Sequence, residues 1–504
     1  MAVQVLVGAL LSVWLLYRAL ILWRSPVRTT DNKLRDPPLL FTPIPFIGHL
    51  LGIAFKGSNP YISSLCAAQG SPIATMRLPG QDMHLIHPLN TLSIKRFTGM
   101  QTLSLMTVFR VAVGPAMSLV PASEKFLTDP DTGVSKRELS KLFNEQLRSL
   151  KNLSGYAAQL QSKIDKHWAE SVSLDSEHVE MGLASWVFDT LSYSMGAVFW
   201  GEKGPFEDAL FREQLRVFIQ NLEALRNPVT FLVPRHLRSA RAYVRESLDQ
   251  AAVNNAYGLE SQGRTLFNRL AALYEAHGVP PAGFTDCHLV AIVGLLSNVI
   301  NIMAWAMCHI AGDEKLKASL MVELNAVVEK SHSRSSSDNV LSEDQGLELL
   351  GDSPVARYVN QDSAFDAQYQ VKKGSIIMTP IHLHNCKDDI WGQDADAFRP
   401  SRFLSGNSSK VDADLIKHLE VFGLPGMHQC PGRYLAMNLV VALVAKMLLS
   451  FEITPVPGGT FSIPKRKETM LGLPATGSDP KVLVRHRQGI RSVHVGFENV
   501  RPGW

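Results

Sequence analysis

One cysteine in this sequence has a setting that favours metal binding. Cys430 lies just before the apolar run from Tyr434 to Phe451, which predicts a helix that begins directly after the cysteine. Pro431 suits the first turn of that helix, where the N–H that proline lacks would have no partner. Unpaired N–H groups and the positive end of the helix dipole favour a thiolate over a thiol, so we expect a lowered pKa for Cys430.

The residues around Cys430 indicate which metal it would hold. Gly426 and Gly432 remove side chains on either side, so the backbone there can approach something flat and large. The other four cysteines are far away, and no Cys/His pair has the spacing of a zinc finger. A single axial thiolate to haem iron is the interpretation that remains. The alternative is a cysteine that only caps a helix.

Composition excludes several classes of protein. The chain has 504 residues, 46% of them hydrophobic and 19% charged, which excludes a disordered or low-complexity protein. Lys and Arg total 50 against 46 Asp and Glu, and a net charge of +4 gives no argument for a nucleic-acid partner. Five scattered cysteines fit a reducing compartment better than a disulfide framework.

A long apolar segment, residues 286–311, predicts a helix that runs through the centre of a domain. Thr285 or Asp286 can cap its start, and Gly312 can close its end. Its middle carries buried polar groups that need partners, and two kinds are open: a cofactor, substrate or water, or the backbone of the helix itself. These groups are Ser297, Asn298 and Asn301.

The rest of the pattern predicts a mainly α protein with small β-sheets. Residues 137–170 and 205–226 have the spacing of surface helices, and residues 369–380 predict a hairpin with a turn at Lys373–Gly374. Residues 3–23 are apolar and long enough to cross a membrane, and the Arg and Lys residues that follow keep the downstream chain cytoplasmic. A cleaved signal peptide is the alternative. We therefore divide the chain into an anchor (1–24), a proline-rich linker (25–52) and a catalytic domain (53–504).

The segment from Phe422 to Ala436 resembles the cysteine loop of the cytochrome P450 family. Gly426, His428 and Gly432 match the family pattern around Cys430, while Phe422 lies eight residues before the cysteine instead of the usual seven. The resemblance implies a cytochrome P450-like haem-thiolate fold with haem b, Cys430 as axial ligand and His428 on a haem propionate.

Other segments carry the same resemblance. Arg357 resembles the family's arginine that pairs with a haem propionate. Phe398, Pro400 and Arg402 resemble its aromatic–x–Pro–x–Arg segment.

The central helix departs from the family pattern. Members that insert oxygen usually carry an acid and a threonine there to deliver protons, and this sequence has neither between Ala291 and Ala311. Ser297, Asn298 and Asn301 are the candidate catalytic residues in their place. With Trp305, the segment is similar to the branch of prostacyclin synthase and the sterol 7- and 12-hydroxylases, which holds both oxygen-inserting enzymes and isomerases.

A Glu-x-x-Arg pair, which the family places between the central helix and the cysteine, is absent between Gly312 and Cys430. We therefore predict that about one helix of sequence is missing at Ser353–Pro354, and three origins are open: a splice variant, a mis-called exon or a real deletion. If the deletion is real, Arg402 loses a buried charge partner, at a cost of roughly 3–5 kcal/mol, and haem loading is expected to be poor.

Together these features predict a membrane-anchored haem-thiolate monooxygenase on the cytosolic face of the endoplasmic reticulum. The resemblance implies electrons from NADPH–cytochrome P450 reductase. It also implies a lipophilic substrate from secondary metabolism: a terpenoid, polyketide or alkaloid. Two alternatives stay open: a haem-thiolate isomerase or dehydratase that needs no reductase, and a degenerate, non-catalytic membrane protein.

Overall fold

Helices make up most of the described chain. The structure is a computed structural model that describes residues 11–17, 34–44, 47–88, 94–95, 97, 99–100, 102–104, 108, 114–128, 134–172, 178–201, 203–226, 231, 233–253, 265–333, 355–395, 397–404, 412–416, 418–419, 421–423, 429–458, 461–467 and 472–487. Residues 11–17 are helical. The numbered helices are α1 (Gly48–Lys56), α2 (Ser58–Ala67), α3 (Gly114–Met117), α4 (Pro121–Thr128), α5 (Val134–Arg148), α6 (Leu150–Ser171), α7 (Leu183–Phe199), α8 (Ala209–Ile219), α9 (Leu222–Leu225), α10 (Arg235–Val253), α11 (Leu266–Ala276), α12 (Pro281–Gly312), α13 (Glu314–Ser333), α14 (Ile381–Asn385), α15 (Asp388–Trp391), α16 (Ala413–Ile416) and α17 (Arg433–Ser450).

The predicted central helix is α12, and it packs against α7, α10, α11 and α17. It ends at Gly312 as predicted, but it begins at Pro281, earlier than the expected caps. Proline is well tolerated at the first helical position. The Asp286 carboxylate serves another purpose: it accepts a hydrogen bond from the Val120 N–H (2.6 Å) and lies 2.6 Å from the Arg245 guanidinium. The sequence-based cap was therefore wrong because a tertiary contact uses this side chain.

Helix α17 carries the chain away from Cys430 through the core. It is apolar on all sides, and its one lysine, Lys446, is 2% exposed and pairs with Asp165 at 2.9 Å. Within the described residues, α12 and α17 are the two helices long and apolar enough to cross a membrane, and each is mostly buried inside the protein. Their hydrophobicity is that of core helices.

The described strands form four small sheets, in agreement with the prediction of a mainly α protein. They are β1 (Ile73–Leu78), β2 (Gln81–Ile86), β3 (Leu103–Ser104), β4 (Val179–Gly182), β5 (Val355–Val359), β6 (Ser363–Ala364), β7 (Gln370–Val371), β8 (Ile376–Thr379), β9 (Phe451–Pro455), β10 (Arg466–Lys467), β11 (Ala475–Thr476) and β12 (Lys481–His486). The largest has the order β1-β2-β8-β5-β3, antiparallel except for the parallel pair β2–β8. Residues 369–380 do not form the predicted hairpin: Gly374 turns the chain with φ +90°, but β7 pairs with β6 while β8 joins β2 and β5.

Buried histidines make the fold sensitive to acid. Burial lowers the pKa of His288 to about 3, and the pKa values of His84 and His309 to about 4. Between pH 6.5 and 4 the unfolded chain binds protons that the folded chain does not, so the free energy of unfolding falls as the pH falls. Each histidine contributes up to about 1.4 kcal/mol per pH unit in that window.

We expect urea unfolding to show a clear loss of stability from pH 7 to pH 5. His288→Leu removes one titrating group and should flatten the slope, whereas His236→Leu, at an exposed position, should leave it unchanged. An identical slope in His288→Leu and the wild type would contradict this account.

Candidate active site

The loop before α17 is closed by a backbone hydrogen bond that fixes Cys430. The Cys430 N–H donates to the carbonyl oxygen of Phe422 at 2.8 Å. Phe422 has φ +59°, a left-handed conformation that a residue with a side chain rarely adopts. Its ring packs against the main hydrophobic core. The bond and the packing hold the two ends of this loop together, although seven residues lie between Phe422 and the cysteine.

The expectation of a lowered pKa for the cysteine is wrong. Burial raises the pKa of the Cys430 thiol, and this effect exceeds the lowering by the Gly432 N–H and by the charge of Arg433. When a thiol is buried among apolar groups, desolvation destabilises its anion by more than a helix N-terminus stabilises it. A metal cation bound directly to the sulfur supplies the missing stabilisation, because a coordinating thiol is deprotonated outright.

Arg433 holds the backbone of the cysteine. Its Nη1 donates to the Cys430 carbonyl oxygen at 3.2 Å, and its guanidinium lies over the Tyr434 ring, 4.5 Å from the centroid. A Cβ on Gly432 would lie 3.9 Å from the cysteine sulfur, so the side chain of any other residue would contact that atom. The glycine keeps side-chain atoms away from this side of the sulfur.

Arg357 is a buried cation that has no carboxylate partner among the residues that the structure describes. Nη1 donates to the Ala356 carbonyl oxygen at 2.8 Å, and the guanidinium lies 5.4 Å from the centroid of the Phe97 ring. Burial lowers the pKa of Arg357 to about 10, and no carboxylate among the described residues offsets this. An isolated buried charge is costly unless an anion pairs with it. Two haem propionates are anions of the required kind.

Arg402 has partners, in contrast to the prediction that it would lose them. Nη1 donates to the Trp391 carbonyl oxygen at 2.6 Å, and Nη2 donates to the carbonyl oxygens of Asp394 (2.6 Å) and Ala397 (2.9 Å). The Asp394 carboxylate lies 3.5 Å away. This guanidinium, with only 4% of the side chain exposed, is satisfied within its own segment, because backbone oxygens replace most of what a Glu-x-x-Arg helix would supply.

The polar residues of α12 bond to the protein itself. The Ser297 hydroxyl donates back to the Val293 carbonyl oxygen at 2.7 Å, which confirms one of the two alternatives. Asn298 Oδ1 accepts from the Leu473 N–H at 2.9 Å, and Asn301 Nδ2 donates to the Leu473 carbonyl oxygen at 2.8 Å. For both asparagines the observed partner is a loop of the chain, which neither alternative named.

Comparison with known proteins agrees with this geometry. A family model described as Cytochrome P450 matches residues 37–482. The chain belongs to the cytochrome P450 family. This P450 is 24% identical to the cytochrome P450 monooxygenase nodJ of Hypoxylon pulicicidum over 84% of each chain. It is 22% identical to a cytochrome P450 monooxygenase of Gibberella zeae over 84% of this chain and 82% of the relative. It is also 29% identical to the cytochrome P450 monooxygenase ausG of Penicillium brasilianum over 30% of this chain and 28% of the relative.

Membership makes this P450 a haem-thiolate monooxygenase with haem b as its cofactor. The residues present fit that group: a half-buried cysteine whose sulfur needs a cation, and a buried arginine that needs an anion. When bound, the haem supplies the activation of molecular oxygen. The chain holds Cys430 through the Phe422 and Arg433 bonds and keeps Arg357 out of water.

Two predicted site residues of this P450, Gly426 and His428, lie outside the described residues. The predicted junction at Ser353–Pro354 also lies outside them. Conversely, sequence reasoning missed Phe97, Arg433 and Leu473. Arg433 directly follows the matched Cys-x-Gly, so the motif could have identified it. Phe97 and Leu473 are far in sequence from Arg357 and from the two asparagines that they contact, and no local pattern predicts these contacts.

The roles of Arg402 and Asp394 in this P450 can be separated by stability measurements. We expect Arg402→Ala to lower the free energy of unfolding by about 2–4 kcal/mol, because it removes three hydrogen bonds that a side chain only 4% exposed makes to carbonyl oxygens. Asp394→Ala should cost about 1 kcal/mol or less, because the carboxylate is 41% exposed and 3.5 Å away. Urea unfolding of both variants measures this. A larger loss in Asp394→Ala would show that the carboxylate, and not the carbonyl oxygens, replaces the absent glutamate.

Proposed function

We propose that this P450 inserts one oxygen atom into a C–H bond of a lipophilic small molecule from secondary metabolism. The balanced step takes the substrate, O2, two electrons and two protons to the hydroxylated product and water. The electrons come from NADPH through NADPH–cytochrome P450 reductase. The observation that carries the proposal is the presence of two groups that need a counter-ion: the half-buried Cys430, whose sulfur needs a cation, and the buried Arg357, whose charge needs an anion.

The lining of α12 supports a lipophilic substrate. In the middle of this otherwise buried helix, the partly or fully exposed residues before Asn298 are apolar. They fall mainly on one side, and a Cβ on Gly294 would have no atom within 4 Å. These residues are Val290, Ala291, Val293, Gly294 and Leu295. An apolar wall beside open space suits a ligand that leaves water readily. The terpenoid, polyketide or alkaloid class follows from the resemblance and from the fungal monooxygenases among the relatives.

Exposed apolar side chains near the N-terminus support attachment to the endoplasmic reticulum membrane. Large apolar side chains are exposed in the helical residues 11–16, and further ones follow in the linker and α1: Phe41, Ile44, Ile47, Leu50 and Phe55. A patch of this kind beside an apolar segment is typical of a surface that meets lipid. The Arg and Lys residues after residue 23 would keep the catalytic domain cytosolic.

The decisive experiment combines a spectrum with a cofactor dependence. Membranes that contain the full chain are reduced and treated with carbon monoxide, and the haem-to-protein ratio is measured. We expect the thiolate–haem band and a ratio near one, together with oxidation of a terpenoid panel only when NADPH and reductase are present. Absence of the band would contradict the proposal and favour the degenerate, non-catalytic protein.

One observation favours a second function, that of a haem-thiolate isomerase or dehydratase. Between Ala291 and Ala311, α12 has no acid or threonine, and the Ser297 hydroxyl is engaged with the helix backbone. The three candidate catalytic residues, Ser297, Asn298 and Asn301, thus offer no good proton relay. Product formed in the absence of NADPH and reductase would establish this alternative.

A further inference from the structure

Three side chains of α12 hold one short segment of the chain, residues 472–476. Asn298, Asn301 and Trp305 lie three and four residues apart, so they project from the same side of the helix. Asn298 and Asn301 bond to the N–H and the carbonyl oxygen of Leu473, and Trp305 Nε1 donates to the Pro474 carbonyl oxygen at 2.8 Å. The helix therefore satisfies three consecutive polar groups of that backbone.

The fit beside Asn298 is close. Gly472 has φ +97°, and a Cβ there would lie 2.7 Å from Asn298 Oδ1. Any other residue would force the asparagine away and strain the backbone at the same time. The segment is therefore shaped to receive the asparagine.

The bond to Leu473 also decides which end of the Asn298 amide is available. Because the Leu473 N–H must meet an acceptor, the amide oxygen faces the loop, and the NH2 group has no partner among the described residues. Asn298 is partly exposed, and Gly294, one turn earlier, borders open space. The free amide end is thus a hydrogen-bond donor at the edge of the apolar wall.

We propose that Asn298 is a substrate-positioning residue with two ends. Its oxygen fixes the 472–476 segment, and its NH2 group donates to an oxygen atom of the substrate. The substrate class is then a lipophilic molecule that carries a carbonyl, ether or hydroxyl oxygen near the position that reacts. This inference rests on the proposed function, because it assigns the open space beside α12 to the substrate.

The first test measures the loop without any ligand. Amide hydrogen exchange at Leu473 is compared in the full-length wild type, Asn298→Asp and Asn298→Ala. Asn298→Asp keeps an acceptor and should keep the amide protected, whereas Asn298→Ala should speed exchange at least tenfold. Asn301→Ala, which removes only the bond to the Leu473 carbonyl oxygen, is the matched control and should change this amide less. Equal exchange in the wild type and Asn298→Ala would overturn the assignment.

The second test measures whether the Asn298 NH2 group donates a hydrogen bond to an oxygen atom of the ligand. Equilibrium dialysis measures binding of the sesquiterpene ketone nootkatone and of valencene, its parent hydrocarbon without the carbonyl. We expect the wild type to prefer the ketone about tenfold, the value of one hydrogen bond, and both Asn298→Asp and Asn298→Ala to lose that preference. No preference in the wild type, or a preference that survives in Asn298→Ala, would overturn the proposal.

The two failures remain distinguishable. Neither dialysis nor exchange depends on turnover, so a chain that shows the thiolate–haem band but no ketone preference refutes only the role of Asn298. A chain without that band refutes the proposed function, while the Leu473 amide still reports whether the segment is held.

Discussion

Cys430→Ser is expected to abolish the thiolate–haem band in the carbon monoxide difference spectrum. Serine keeps the size and the backbone bond to Phe422, but its hydroxyl is far harder to deprotonate than a thiol. Burial at this position already raises the pKa of the Cys430 thiol, so the thiolate is stable here only when it is bound to a cation. The alkoxide of serine is still less stable, because the hydroxyl is the weaker acid. Activity should fall by roughly 100-fold or more, because even residues one step removed from a metal contribute 10- to 100-fold.

The matched control is Cys386→Ser, at an exposed cysteine. It should keep the band, the haem content and the activity of the wild type. A full thiolate–haem band in Cys430→Ser would contradict the assignment of the axial ligand, and the remaining cysteines would then have to be tested in turn.

Arg357→Met is expected to change two properties in opposite directions. Without haem, the variant should be more stable than the wild type by about 1–3 kcal/mol, because it removes a buried cation with no carboxylate partner in the described part of the chain. With haem, it should bind the group about 10- to 100-fold more weakly, because a charge-assisted hydrogen bond to a propionate contributes about 1.5–3 kcal/mol. Urea unfolding of the haem-free chain and haem titration measure the two effects.

Arg212 provides the control for this prediction. Its side chain is about as deeply buried, but it pairs with Asp189 at 2.5 Å, so Arg212→Met should destabilise the chain by about 3–5 kcal/mol. Two variants of the same chemistry are thus expected to have opposite effects on stability. Destabilisation of the haem-free chain by Arg357→Met would show that the arginine already has an anionic partner within the protein.

Local patterns predicted the parts of this P450 that are local in origin. The central helix and the helix after Cys430 follow from apolar runs, since a helix that is apolar on all sides has to be buried. The cysteine loop and the Arg402 segment follow from short motifs in which every member is close in sequence. The helix start at Pro281 was missed because Asp286, a plausible cap, is used by Val120 and Arg245.

The tertiary structure corrected the energetics of two charged or ionisable groups. Arg402 was expected to lack a partner because no Glu-x-x-Arg pair lies between the central helix and the cysteine. Carbonyl oxygens of residues 391–397 satisfy it instead, and backbone groups have no signature in sequence. Cys430 was expected to ionise readily at a helix terminus, but its pKa depends on how much apolar surface surrounds it, and that is known only once the chain is folded.

The sequence by itself determined the class of this protein, a mainly helical P450, and it predicts which cysteine binds haem iron. Only the tertiary structure decided what the polar residues of the central helix do. Asn298 and Asn301 meet Leu473 across more than 170 positions of sequence, and a hydrogen bond depends on distance and direction in space. Hydrophobic periodicity encodes which face of a helix is buried, but it does not encode which backbone atoms lie opposite that face.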